Sequence, residues 1–234
     1  MAAGYVCRMC GRYMLTTPVD ALRQLFLFTE RPNLAPRYNI APTQDVPIVR
    51  PTRDGGAREL IMVRWGLVPY WASDVKIGNR LINARCESVG RTAAFREAYQ
   101  RRRCLVPADG FFEWQKDGKT RQPLLVRRRD QVPFAFAGLW ERWPQPGGGV
   151  LRSCTIITCP ANELVAPVHD RMPVILTPQD YERWLDPSRA DGRELLKPYP
   201  AAELEAFPVS PRVNSPQNDD PDCITALAVQ GSLL

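Results

Sequence analysis

Gly110-Phe111-Phe112-Glu113-Trp114-Gln115-Lys116-Asp117-Gly118, with Leu124-Leu125-Val126 behind it, is the stretch that decides the fold. Phe112 and Trp114 alternate about Glu113 with the period of a strand, Asp117-Gly118 is a hairpin turn pair, and Leu124 to Val126 is the returning strand. The same pattern recurs outward from there. Val46 to Val49 and Leu60 to Trp65 read as strands paired around Asp54-Gly55-Gly56, and Cys104 to Val106 as another. Phe134 to Trp140 and Cys154 to Cys159 are two more, divided by Pro146-Gly147-Gly148-Gly149. Helical signals are short. Thr16-Thr17-Pro18-Val19-Asp20 predicts a helix start with a hydroxyl cap, and Leu22, Leu25 and Phe26 give that helix an apolar face. Thr92 to Gln100, Thr177 through Leu185 and Arg193 to Lys197 supply the others. The fold expected is α+β: a single domain with a curved, mostly antiparallel sheet or open barrel and short peripheral helices.

Composition bounds the function. A chain of 234 residues, 44% hydrophobic and 24% charged, is an ordinary globular one. Its net charge of +6 permits a polyanionic partner without requiring one. Seven cysteines, an odd number without framework spacing, suit a reducing compartment. No apolar run is long enough to span a membrane and no signal-peptide pattern opens the chain, so cytoplasm or nucleoid is the expected location. Cys7-Arg8-Met9-Cys10 has the spacing of a zinc or dithiol pair, but no second such pair exists and His169 is the only histidine. No metal or cofactor is expected.

Chemistry gathers at Met9-Cys10-Gly11-Arg12-Tyr13. Inside a chain, Cys10 would offer a thiol and would ordinarily be a small buried hydrophobe. At a chain start it would add an α-amine of pKa about 7.7 to 8.0, part of it neutral near pH 7. Amine and thiol together convert an aldehyde first to an imine and then to a five-membered thiazolidine. Glu113 has two readings: facing solvent, or facing inward with burial raising its pKa into the range of an acid or base. His169, flanked by Asp170 and Arg171, is either structural or catalytic. Trp65-Gly66-Leu67-Val68-Pro69-Tyr70-Trp71 is either core or a base-stacking loop. Arg101-Arg102-Arg103 is either a solvated helix end or a phosphate rail.

Taken in order, Cys10-Gly11-Arg12-Tyr13, Tyr38-Asn39-Ile40-Ala41-Pro42-Thr43, Trp65-Gly66-Leu67-Val68-Pro69 with Trp71, Asn83-Ala84-Arg85-Cys86-Glu87, Gly110 to Trp114, and His169-Asp170-Arg171-Met172-Pro173 resemble the SOS response-associated peptidase (SRAP) family of abasic-site processing proteins. Val213-Asn214 with Asn218-Asp219 is similar to that family's closing loop. The resemblance runs from Cys10 to about Cys223. It divides the chain into an extension over residues 1–8, a domain over 9–223 and a tail over 224–234.

What the resemblance implies is covalent capture of abasic sites in single-stranded DNA as a thiazolidine, which shields the lesion during the DNA damage response. Cys10 is then the nucleophile, Glu113 and His169 the acid and base, and Asn83 the positioning amide. Arg12, Arg85 and Arg171 would pair with phosphates, and Asn39, Pro42 and Trp71 would contact or wedge the neighbouring nucleotides. Lyase action by β-elimination and self-processing peptidase action accompany this reading, with replication-fork proteins as further partners and a monomer as the expected state. The family normally begins Met-Cys, so Met1 to Arg8 is a departure. A start assigned too early, self-cleavage before Cys10 and a blocked protein are its three explanations. Two rival classes stand beside capture: a cysteine peptidase using Cys10 and His169, and a non-catalytic single-strand binder.

Overall fold

The computed structural model describes residues 10–118, 120–186, 188 and 192–227; the predicted 1–8 extension and most of the 224–234 tail lie outside them. The deciding stretch is the hairpin expected of it: β7 (Gly110–Asp117) pairs antiparallel with β8 (Thr120–Arg128), from Gly110 opposite Arg127 to Asp117 opposite Thr120. Gly118 takes the left-handed backbone, φ 56°, that a two-residue turn requires. β13 (Leu204–Pro208) flanks β8, while β1 (Tyr13–Leu15) and then β2 (Arg37–Ile40) extend the other side into a five-stranded sheet.

A second sheet of eight strands closes on itself. The barrel proper is β3 (Asp45–Pro51), β4 (Arg58–Trp65), β6 (Arg103–Ala108), β9 (Phe134–Pro144) and β10 (Val150–Pro160). Its neighbours run β10-β4-β3-β6-β9, and β9 pairs again with β10. Among the described residues only β4 and the short β5 (Asn83–Arg85) lie parallel to β10. Closure removes the exposed edges that would otherwise recruit other strands. β11 (Arg171–Pro173) caps the end of β10, and β12 (Ile175–Leu176) pairs with β9. At Gly138 a Cβ would lie 2.7 Å from Val106 Cγ2 and 2.9 Å from Cys104 Sγ, so only glycine lets β6 and β9 approach this closely.

Aromatic side chains lock the two sheets together, and Phe111 of β7 meets Phe136 of β9 edge to face with centroids 6.2 Å apart. Tyr13 of β1 is fully buried and meets the barrel's Trp65 and Phe136 edge to face, with centroids 5.3 and 5.7 Å apart. Such pairs add roughly 0.5 to 1.5 kcal/mol each beyond burial, and they fix the segment that carries Cys10.

The helices are short, and one expectation is corrected. α1 (Val19–Phe26) begins after Pro18 with no side-chain cap. The Thr16 and Thr17 hydroxyls instead donate to Asp109 at 2.9 and 2.7 Å, and their backbone N–H groups reach the same carboxylate at 2.6 and 2.9 Å. A carboxylate accepting four hydrogen bonds outcompetes a local cap, and it ties β1 to the start of β7. Asp109→Ala is therefore expected to lower Tm by roughly 5 to 15 °C, from about 2 to 4 kcal/mol of lost bonding; thermal unfolding checks it, and Asp109→Asn should lose less. α2 (Arg96–Arg101) is shorter than the 92–100 stretch predicted, because Phe95 at φ −120° separates it from the preceding turns. Residues 178–180 form a 3-10 turn before α3 (Tyr181–Leu185), and Arg193–Leu195 is a 3-10 turn as well.

Candidate active site

The site forms at the seam between the two sheets. Tyr13 stands opposite Phe111, and Phe112 N donates to Arg12 O at 3.0 Å, so the chain leading back to Cys10 runs alongside Glu113 of β7. From the barrel side, Asn83 sits opposite Ile156 of β10, and its Nδ2 donates to Cys10 O at 2.8 Å. Cys10 is 1% exposed, Asn83 6% and Glu113 4%. Asn83 thereby pins the backbone of Cys10 to the barrel.

Glu113 takes the inward reading. Burial pushes its carboxyl up to about 8, and the nearby Asp170 carboxylate adds to the rise, so it holds a proton at pH 7. Its Oε1, like Asn83 Oδ1, is buried without a hydrogen-bond partner among the described residues. Such atoms cost about 1 to 3 kcal/mol each, a cost that a polar ligand at the seam would relieve.

His169 arrives on a turn closed by Asn162, whose Oδ1 accepts from Val165 N at 3.0 Å; His169 N then bonds to Val165 O at 3.0 Å. Arg171 N lies 2.9 Å from His169 Nδ1, and Asp170 Oδ1 and Arg171 O each lie 3.2 Å from the same nitrogen, so the ring is held through Nδ1. Asp170 follows His169 directly and its carboxylate acts on Glu113, which brings the turn that carries the imidazole toward the carboxyl. A proton-bearing carboxyl beside the strand that leads back to a thiol, with an imidazole on the adjoining turn, suits a condensation that must both shed water and relay protons.

The expected DNA contacts divide. Arg171 is engaged by Glu87, with Nη1 to Oε1 at 2.5 Å and Nη2 to Oε2 at 3.0 Å, and it also donates to Thr158 O at 2.6 Å. That fork holds the Glu87 carboxyl down at about 2 and fastens β11, hence His169, to the turn after β5. Arg12 donates to Asn39 Oδ1 and to Val213 O, both at 2.7 Å, with its guanidinium over Trp114. Asn39 is wholly buried, its Nδ2 donating to Ser215 O at 2.9 Å and Asn218 O at 2.7 Å. Asp219 accepts from Tyr38 N and Asn39 N and pairs with Arg37. These side chains therefore bind the closing loop. Arg85 is exposed, Pro42 is half-buried beside Thr43 at φ 74°, and Trp71 is 51% exposed. Trp71 lies next to Ala72, whose carbonyl takes Trp143 Nε1 at 2.6 Å, and stands outside the bonds that join Cys10, Asn83 and Arg12. In the same loop Trp65 is core, donating from Nε1 to Ile82 O at 2.9 Å.

Sequence reasoning passed over Glu87, Asp109 and Asn162. The acid of Asn83-Ala84-Arg85-Cys86-Glu87 was the one visible signal, since a carboxylate in so dense a motif needs a cation. Cys7 and Met9 lie outside the described residues, and among those described no group of three His, Cys, Asp or Glu side chains is placed to hold a metal.

Comparison with known proteins gives a consistent result. The family model described as SOS response associated peptidase (SRAP) matches residues 9–216. Abasic site processing protein YoqW of Bacillus subtilis (strain 168) is 43% identical over 223 residues, covering 92% of this chain and 99% of its own. Abasic site processing protein HMCES of Gallus gallus is 31% identical, covering 94% and 78%. A crystal structure of a protein from Bacteroides thetaiotaomicron superposes with a TM-score of 0.84 at 26% identity, over 93% of this chain and 100% of that one. A Bordetella bronchiseptica protein superposes at 0.74 and 28% identity, over 86% and 100%.

Proposed function

Because this chain belongs to the SOS response associated peptidase (SRAP) family, we propose that it processes abasic sites by capturing them covalently in single-stranded DNA. The observation that carries the proposal is the seam itself: a buried, proton-bearing Glu113 in the same neighbourhood as the segment that Asn83 fastens at Cys10. Capture needs Cys10 to be the first residue. Its α-amine attacks C1′ of the ring-opened deoxyribose, and the carbinolamine leaves as an imine plus water, with Glu113 giving the departing hydroxyl its proton. The Cys10 thiol then adds to the imine carbon, its proton passing to the ring nitrogen, and the thiazolidine closes with one water as the only other product. His169 relays the proton that accompanies opening of the sugar.

An imine also acidifies the neighbouring carbon, so β-elimination of the 3′ phosphate is its side reaction; ring closure removes the imine and protects the strand. On this reading lyase action belongs to the imine stage, and peptidase action removes whatever precedes Cys10. Arg85 and Trp71 are the exposed members of the DNA-contact set, while Arg12, Asn39 and Arg171 shape the site from within. No helix among the described residues is long and apolar enough to cross a membrane; work at replication forks in the cytoplasm or nucleoid, as a monomer, fits the substrate proposed.

A denaturing gel of protein beginning at Cys10, incubated with abasic and intact oligonucleotides side by side, tests the proposal. A shifted band with the abasic strand alone is expected. Peptide cleavage without that band would favour a cysteine peptidase, and reversible binding without it a simple single-strand binder.

A further inference from the structure

A cavity of about 810 Å³ lies away from the seam and is lined by seven arginines against two carboxylates. It opens at the start of β10, where Arg152 lines it; Ile156, opposite Asn83, is four residues further along that strand, or about 13 Å at a strand's rise. The Arg101-Arg102-Arg103 triplet reaches this cavity and is divided by it. Arg102 pairs with Glu141 at 2.8 Å and Glu97 at 3.1 Å, and Arg103 packs against the rings of Tyr99 and Trp184. Arg50 pairs with Glu59 at 2.7 Å and stacks 4.0 Å over Trp140.

The remaining four, Arg53, Arg101, Arg142 and Arg152, are exposed and form no ion pair among the described residues. They come from four elements around one opening: the β3–β4 turn, the end of α2, β9 and β10. Their charges are felt inside, since burial lowers the Arg50 guanidinium and repulsion from Arg152 and Arg53 lowers it further. So many unneutralised cations around one concavity make a positive field that an anion with several separated charges would relieve. A single phosphate is too small to reach guanidinium groups on four elements, whereas a phosphodiester backbone presents its charges in series. The exposed Tyr70 extends the same surface, sharing an adjoining cavity with Arg102 and Arg142.

We infer that this end of the barrel is a second DNA-binding surface, which holds the phosphate backbone of the strand some way from the lesion. The choice of DNA as occupant rests on the proposed function. The test uses the whole protein carrying Arg53→Gln, Arg101→Gln, Arg142→Gln and Arg152→Gln together, four exposed positions whose change leaves the core intact. Fluorescence anisotropy with an intact 30-nucleotide single strand is expected to show more than tenfold weaker binding. The slope of log K against log salt should shrink by about 2 to 3, at roughly 0.7 per lost phosphate contact. Capture of a trinucleotide whose central residue is abasic, leaving one phosphate on each side of the lesion and none near this surface, should match the wild type. The fourfold Arg→Lys variant should recover most of the binding.

Unchanged affinity and salt slope with the 30-nucleotide strand would overturn the inference. So would loss of polyglutamate binding with DNA binding intact, which would make the surface a dock for an acidic protein. Intact DNA carries no aldehyde, so this result is independent of Cys10. Failure of the wild type to capture the abasic trinucleotide would count against the proposed chemistry alone.

Discussion

Protein beginning at Cys10 is expected to stay joined to an abasic single strand through heating in detergent, and Cys10→Ala to lose that adduct completely. The expectation is total because no other residue of the chain can supply an amine and a thiol to one carbon. Retaining Met1 to Arg8 should abolish the adduct as fully, because the nitrogen is then an amide. Cys10→Ser separates the two steps. It keeps the amine but lacks the better nucleophile for ring closure, so the imine should persist, be trapped by borohydride, and break the strand by elimination. Cys10 is 1% exposed, and Ala removes only a sulfur from a packed site, at a cost of about 1 kcal/mol. A near-native Tm would therefore separate lost chemistry from lost fold. A chain with residues 1–8 verified intact that still formed the adduct would end the thiazolidine proposal.

Glu113→Gln is expected to slow capture by about 10² to 10⁴-fold while making the protein more stable at neutral pH. The second half follows from linkage. The folded carboxyl titrates at about 8, far above its ordinary value of 4.5, so between those values the folded state holds a proton that the unfolded state has released. Stability contributed at this site is therefore complete below about pH 4.5 and falls as pH rises toward 8. At pH 7 the deficit amounts to about 3 kcal/mol, since each pKa unit is worth about 1.4 kcal/mol. Gln carries no such deficit, and denaturant unfolding from pH 5 to 8 should show the variant's stability curve flatter than the wild type's. The rate should change in the same region. On the proposed mechanism wild-type capture needs a neutral amine and a protonated Glu113, so it should pass through a maximum near pH 8 and decline above it; the variant should lose that decline. Equal rates in the two proteins, or parallel stability curves, would remove Glu113 from the role of acid.

Much of this molecule was legible in its residues. Asp117-Gly118 between two alternating apolar runs specified the β7–β8 hairpin, and Asp54-Gly55-Gly56 specified the β3–β4 pair, because turn chemistry and strand period are local properties. The family motifs, read in order, supplied Cys10, Asn83, Glu113 and His169 as candidates. Alternation shows that Phe112 and Trp114 share a face opposite to Glu113, but it does not show which face another sheet will cover. Only the packing of β1 against β7 and the barrel put the carboxyl indoors and gave it a proton at pH 7. The arginines depended on the fold still more, since Arg171 finds Glu87 84 positions away and Arg12 finds Val213 201 positions away. Whether a guanidinium holds the protein together or faces outward for a phosphate is set by partners that are distant in the chain and adjacent only after folding. The sequence by itself determined the hairpins and the chemical groups; closure of the barrel decided which of those groups are buried, which are paired and which remain available to a ligand.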